Sequence, residues 1–256
     1  MSQRTSMFGV QVTTAGSMGE VLDTIDASIA SGEHSYVCSA DVHALMECQS
    51  EPEVRCVYNA AGIVAPDGMP LVRLLHGSGY PAADRVCGPD LLPQLFARSE
   101  SRNDRHCLYG STERTLARLR QALERQYPQA RIVGTSSPPF RAMTQEEESA
   151  IVNLINDADP HIVWVGLCAP NRDRWMTAHR DALSAPVVIG VGTAFDIIAG
   201  IVQRTPPILR RTGCEWMCRV AKEPRRLWKH TLKSNSQFAM MVFGEKMHLL
   251  KHRLDA

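Results

Sequence analysis

The stretch from Val187 to Val191, VVIGV, constrains the fold more than any other part of the chain. It is a continuous apolar run rich in β-branched residues, as expected of a strand covered on both faces. Gly190 and Gly192 follow at once, which predicts a backbone that something approaches closely. Upstream, similar runs alternate with helical spacing. Strands are expected at 35–38, 63–65, 106–109, 130–133 and 162–167, with an edge strand at 8–12. Helices are expected at 18–29, 40–48, 69–75, 91–98, 116–123, 144–155 and 171–183. Thr144 and Glu147 form a Thr-x-x-Glu capping box at the start of one of them. Strands alternating with helices of this length predict an α/β fold, a doubly wound, mostly parallel sheet with helices on both faces.

Charge divides the chain. Residues 204–256 hold 12 Lys and Arg against 4 Asp and Glu, a balance of +8, whereas residues 1–203 carry −7. That predicts an acidic body, 1–203, and a basic amphipathic appendage, 204–256, suited to an anionic partner. The eight cysteines lie mostly among apolar neighbours and include no CxxC pair, which fits reduced thiols in the cytosol. Cys214 and Cys218 with His230 make a weak metal pattern. The first 16 residues lack the apolar core of a signal peptide. Residues 185–202 approach membrane-spanning length but contain Pro186, Gly190, Gly192 and Asp196, so a strand followed by a helix is expected.

In such a sheet ligands bind beyond the carboxyl ends of the strands. The turns expected there are Ser39-Ala40-Asp41, Pro66-Asp67-Gly68, Gly110-Ser111, the 166–170 turn and the 190–196 turn. Asp196 stands near the start of the helix after the last strand, where anions are favoured. The sequence GVGTAF resembles half of a dinucleotide fingerprint, but its third glycine is missing. An NAD-dependent oxidoreductase is therefore the weaker alternative. A non-enzymatic anion-binding module holding nucleic acid is another, and the Trp, Leu and Met content of the basic arm suits a lipid interface better.

The segments VGTAFDIIAG, QRTPP, GCEWMCR and EPRRLWK resemble the WecG/TagA/CpsF family of bacterial glycosyltransferases, in order and at close spacing. The resemblance runs from about Val10 to Leu232. It implies a Rossmann-like fold with a C-terminal helical appendage. It also implies an inverting transfer of a hexose or N-acetylhexosamine from a UDP-sugar to a polyprenyl-diphosphate-linked saccharide, without a metal or other cofactor. Such an enzyme works in cell-envelope or exopolysaccharide synthesis, as a cytoplasmic protein held peripherally on the inner membrane. Homo-oligomerisation is left open.

The segment AGIVAPDGMPLV matches the context in which the family's DG aspartate is the catalytic base, here Asp67. Ser39 and Asp41 stand where the family has Thr-x-Asn. Arg85 precedes a Gly-x-Asp-Leu segment and is expected on the donor diphosphate, for which its geometry is suited. Pro170 and Trp175 are kept from a Pro-Lys-Gln-Glu-x-Trp pattern, with Asn171, Arg172 and Asp173 replacing Lys, Gln and Glu. This departure implies a donor other than UDP-N-acetylmannosamine, such as UDP-glucose or a UDP-uronic acid, with Arg172 as a carboxylate or diphosphate clamp. Gly110 and the Gly192 turn are expected to contribute donor contacts. Arg219, Arg226 and Lys229 match cationic positions that the family's appendage brings toward the diphosphate. A helix starting at Pro224 and an apolar patch at 238–243 are expected to dock on the membrane.

Overall fold

In a computed structural model, which describes residues 3–14, 17–213, 215, 217 and 231–244, the chain forms a six-stranded parallel sheet. The strands are β3 (Ser35–Ala40), β4 (Ile63–Pro66), β5 (Arg105–Tyr109), β6 (Arg131–Ser136), β7 (Ile162–Val165) and β8 (Val187–Gly190), in the order β4-β3-β8-β7-β5-β6. β8 lies near the centre between β3 and β7, as its uninterrupted apolar character predicts. Alternate residues serve two cores. Tyr36, Cys38, Val163, Val165 and Val188 face one side; Val37, Ile162, Trp164, Val187 and Ile189 face the other.

Helices cover both faces. α2 (Val42–Ser50), α3 (Pro52–Ala60), α4 (Met69–Gly77), α7 (Gln145–Asp157) and α8 (Asn171–His179) pack on the first core. α1 (Met18–Ser31), α5 (Gly88–Arg102), α6 (Glu113–Gln126) and α9 (Ala194–Ile198) pack on the second. Ser17, Asp41, Thr112 and Thr144 cap α1, α2, α6 and α7 through their side chains, and Glu147 completes the capping box on Thr144.

Two elements depart from the sequence expectation. The expected edge strand at 8–12 is instead a separate antiparallel hairpin, β1 (Arg4–Met7) and β2 (Val10–Thr13). Phe8 and Gly9 both have positive φ, 51° and 78°, the turn geometry that matches hairpin twist. The hairpin sits against β4, where the Val64 amide donates to Thr13 Oγ1 at 3.0 Å. Between α2 and β4, α3, which the apolar spacing does not predict, starts at Pro52 and buries Val54 and Tyr58.

After β8 the chain continues through α9 and α10 (Pro207–Thr212), and residues 231–244 form α11. The expected membrane-facing patch at 238–243 is divided. Phe238 and Met241, one turn apart, pack on the first core, with Phe238 edge-on to Phe8 at 6.1 Å. Met240 and Phe243 point outward, 66% and 67% exposed. The division follows from helical spacing, which sends 238 and 241 to one face and 240 and 243 to another. The expected helix at Pro224, with Leu227 and Trp228, and the basic residues Lys246, Lys251 and Arg253 lie outside the described residues. Among the described residues no helix is long and apolar enough to cross a membrane.

Candidate active site

The carboxyl ends of β3, β4, β7 and β8 open into two adjoining cavities. One, of about 210 Å³, is lined by Ser39, Cys168, Arg172, Gly192 and Thr193 among others. The second, of about 450 Å³, is lined by Met69, Pro70, Thr231, Ser234 and Phe238 among others. Its size falls in the usual range for small-molecule sites. Asp41, His43, Asp67, Arg85, Arg210 and Glu215 line both, so they form the wall that the two cavities share.

Asp67 follows β4 directly, and its amide donates to the Ala40 carbonyl at 2.8 Å, which ties it to the end of β3. Arg85 donates through Nη2 to Asp67 Oδ1 at 3.1 Å and through Nε to the Asp67 carbonyl. The same Nη2 donates to Glu215 Oε2 at 2.7 Å. Burial disfavours the Arg85 charge, but Asp67 and Glu215 more than offset it and hold the guanidinium protonated above its ordinary range. Beside this group Arg204 and Arg210 reach Asp90 at the start of α5, at 2.5 and 3.8 Å. Burial favours the neutral Asp90 carboxyl, yet hydrogen bonds from Arg204 and Cys87 hold it below its ordinary range.

Asp41 caps α2, its Oδ1 accepting from the Ala44 amide at 2.9 Å, so the charge at this position has a structural use as well as a place in both cavities. Ser39 Oγ donates to the Gly190 carbonyl at 3.4 Å. His43, which sequence alone favours as a structural or surface residue, bonds Ser234 of α11 at 3.1 Å between Nδ1 and Oγ.

Arg172 has a partner within the protein. Its Nε and Nη2 are both taken by the neighbouring Asp173, at 2.7 and 3.0 Å, and the pair is buried. Tyr58 donates to Asp173 Oδ2 at 3.1 Å. Two of its guanidinium nitrogens are thus engaged by Asp173, as those of Arg85 are by Asp67 and Glu215. Burial disfavours the Arg172 charge, but Asp173 and Tyr58 hold it protonated above its ordinary range. Arg172 still borders the smaller cavity. A Cβ added at Gly190 would meet Arg172 Cδ at 2.8 Å, and one at Gly192 would meet Nη1 at 3.3 Å. The glycines of the 190–192 turn therefore make room for this side chain.

Gly110 and Asp196 are not brought to the cavities. Gly110, at φ +111°, lies against the 166–167 backbone, where a Cβ would come within 2.8 Å of the Gly166 carbonyl carbon. Asp196 accepts from Thr115 Oγ1 at 3.4 Å and so faces α6. Arg219, Arg226 and Lys229, and the Cys214, Cys218 and His230 pattern, lie outside the described residues. Among the described residues no three His, Cys, Asp or Glu side chains group as a metal site requires. Glu215, Arg204 and Arg210 were not singled out from sequence. Glu215 stands inside the segment GCEWMCR, but only the fold shows that it meets Arg85.

The family model for the "Glycosyl transferase WecG/TagA/CpsF family" matches residues 5–252, nearly the whole chain. The chain belongs to this family. A relative in Bacillus spizizenii (strain ATCC 23059 / NRRL B-14472 / W23) is 26% identical over 218 residues, covering 85% of this chain and 82% of the relative. That relative is named N-acetylglucosaminyldiphosphoundecaprenol N-acetyl-beta-D-mannosaminyltransferase. The protein is thus a glycosyltransferase, which sets aside both the oxidoreductase and the non-enzymatic binding module.

Proposed function

We propose that this glycosyltransferase moves a hexose or N-acetylhexosamine from a UDP-sugar to a saccharide linked to polyprenyl diphosphate, with inversion. The observation that carries this reading is the position of Asp67, in the wall shared by two adjoining cavities. The name of the Bacillus relative supports undecaprenyl-diphosphate-linked N-acetylglucosamine as the acceptor. In the reaction the Asp67 carboxylate takes the proton from the acceptor hydroxyl. The hydroxyl oxygen bonds to the anomeric carbon as the bond to the diphosphate breaks, and UDP departs. Arg85 and the Gly192 turn, which both border the smaller cavity, are proposed to stabilise charge on the leaving diphosphate. Arg219, Arg226 and Lys229 are proposed to add cations there.

The donor sugar is proposed to differ from N-acetylmannosamine, because Asn171, Arg172 and Asp173 stand where the family has Lys-Gln-Glu. UDP-glucose is favoured over a UDP-uronic acid, since Arg172 is already paired with Asp173. Strong preference for UDP-N-acetylmannosamine in a competition among UDP-sugars would contradict this choice. The reading includes no resident metal, and transfer is expected to persist in excess EDTA. It places the enzyme on the cytoplasmic face of the inner membrane, held peripherally by its basic residues and by Met240 and Phe243. Thermal-shift screening of the full chain tests the donor class. Stabilisation by UDP and by UDP-sugars is expected, with none by NAD or duplex DNA; the opposite pattern would overturn the proposal.

A further inference from the structure

Among the described residues of the basic C-terminal segment, Glu215 is an acidic one that borders the site. We propose that it is a positioning residue for the reaction. By sharing the Arg85 guanidinium with Asp67, it keeps Asp67 basic enough to take the acceptor proton. This inference rests on the reading of Asp67 as the base.

The geometry is a chain of three groups from distant parts of the sequence. One nitrogen, Arg85 Nη2, stands 3.1 Å from Asp67 Oδ1 and 2.7 Å from Glu215 Oε2, so the shorter contact belongs to Glu215. All three side chains are largely buried, 14%, 22% and 20% exposed, which limits screening by water. A guanidinium beside a lone carboxylate stabilises the charged form and makes it a poor proton acceptor. A second carboxylate on the same nitrogen draws off part of that positive charge and adds like-charge repulsion. Both effects raise the proton affinity of Asp67.

Among the described residues, Asp41 and His43 at the start of α2, Cys87 before α5 and Arg210 of α10 also border the group. Arg210 lies 3.8 Å from Asp90, which Arg204 holds at 2.5 Å, so part of its positive charge is offset there. The Arg172–Asp173 pair gives the contrast. There one guanidinium holds one carboxylate through two bonds, with both groups buried. A base in that setting would be held in its charged form and be of little use.

The test uses the full chain and two independent readouts. Carboxyl-carbon NMR titration, with the Asp67 signal assigned by Asp67→Asn, should show the Asp67 midpoint falling by about one pH unit in Glu215→Gln. In transfer assays the acid limb of kcat/KM against pH should move down by a similar amount. kcat should fall about threefold to tenfold while KM for the donor changes by less than about twofold. An Asp67 midpoint that stays put or rises would overturn the inference. So would an equal loss of rate at every pH with the acid limb unmoved, which would mark Glu215 as a tether only. If the parent transfers no sugar, the base assignment falls, while the titration still decides whether Glu215 sets the proton affinity of Asp67. Should the Gln variant not fold, Glu215→Asp keeps the charge and should leave the Asp67 midpoint within about 0.3 unit; a fall of about one unit would overturn the inference.

Discussion

The two ends of the parallel sheet handle buried polar groups differently. At the amino end His106, fully buried in β5, accepts from Trp164 Nε1 at 3.0 Å and stacks on Phe96 at a centroid distance of 4.0 Å. Asp104 beside it is held by Ser99 and Arg102. These groups are closed in by aromatic and aliphatic neighbours. At the carboxyl end Asp67, Arg85 and Glu215 are also largely buried, yet they border two cavities and one guanidinium serves two carboxylates. A group whose partners leave no space beside it supports folding. A group with shared partners and an adjoining cavity can change its bonds when a ligand arrives. The contrast separates scaffold from chemistry within one sheet.

The largest expected effect that tests this separation is on rate. Asp67→Asn should lower turnover by about 10² to 10⁴ while leaving UDP affinity and thermal stability nearly unchanged. An Asn variant that transfers sugar at the parental rate would remove Asp67 from the mechanism. The complementary change is Asp173→Ala. It strands the buried Arg172 charge and should cost about 3 to 5 kcal/mol of stability, read from denaturant melts. A fully stable Ala variant would move the Arg172–Asp173 pair from scaffold to site.

A pH test addresses the closed end. Burial, aided by the nearby His161, lowers the His106 pKa to about 3, against 6.5 unfolded. Between those values the unfolded chain binds a proton that the folded chain does not. Stability from this residue is therefore present above pH 6.5 and lost as pH falls toward 3, by about 1.4 kcal/mol per unit. In His106→Gln, which keeps an acceptor for Trp164, the fall in stability between pH 6.5 and 5 should be smaller by about 2 kcal/mol. An unchanged slope would show that His106 is not the neutral core group described. The smallest stability effect is expected for Met240→Ser combined with Phe243→Ser, within about 0.5 kcal/mol, because both side chains point outward. Binding to anionic liposomes should nevertheless weaken; undiminished binding would exclude these residues from the membrane contact.

Much of the scaffold was legible in sequence because it depends on local pattern. The apolar run at 187–191 and the Thr144 capping box read directly as β8 and the start of α7. The β1–β2 hairpin was not legible, because its turn uses Phe8-Gly9 and Phe rarely adopts positive φ. α3 was hidden because it follows α2 with only Glu51 between them, and its apolar face is short. In the site, Asp67 and Arg85 were reached through the family resemblance, and the structure brings them into contact. The Arg172–Asp173 pair was not legible because spacing shows a charge near a turn and does not show its partner. Glu215 was passed over because its significance comes from an ion pair across 130 residues of sequence.

The proposed role of the wall between the two cavities, sugar transfer with Asp67 as base, can be tested directly. The most direct measurement is transfer of labelled sugar from a panel of UDP-sugars to undecaprenyl-diphosphate-linked N-acetylglucosamine, comparing the parent chain with Asp67→Asn. The parent is expected to release UDP only with acceptor present and to put label in the lipid product, and the Asn variant to lose both. Label in the lipid at equal rates for parent and variant, or no label from any UDP-sugar, would contradict it.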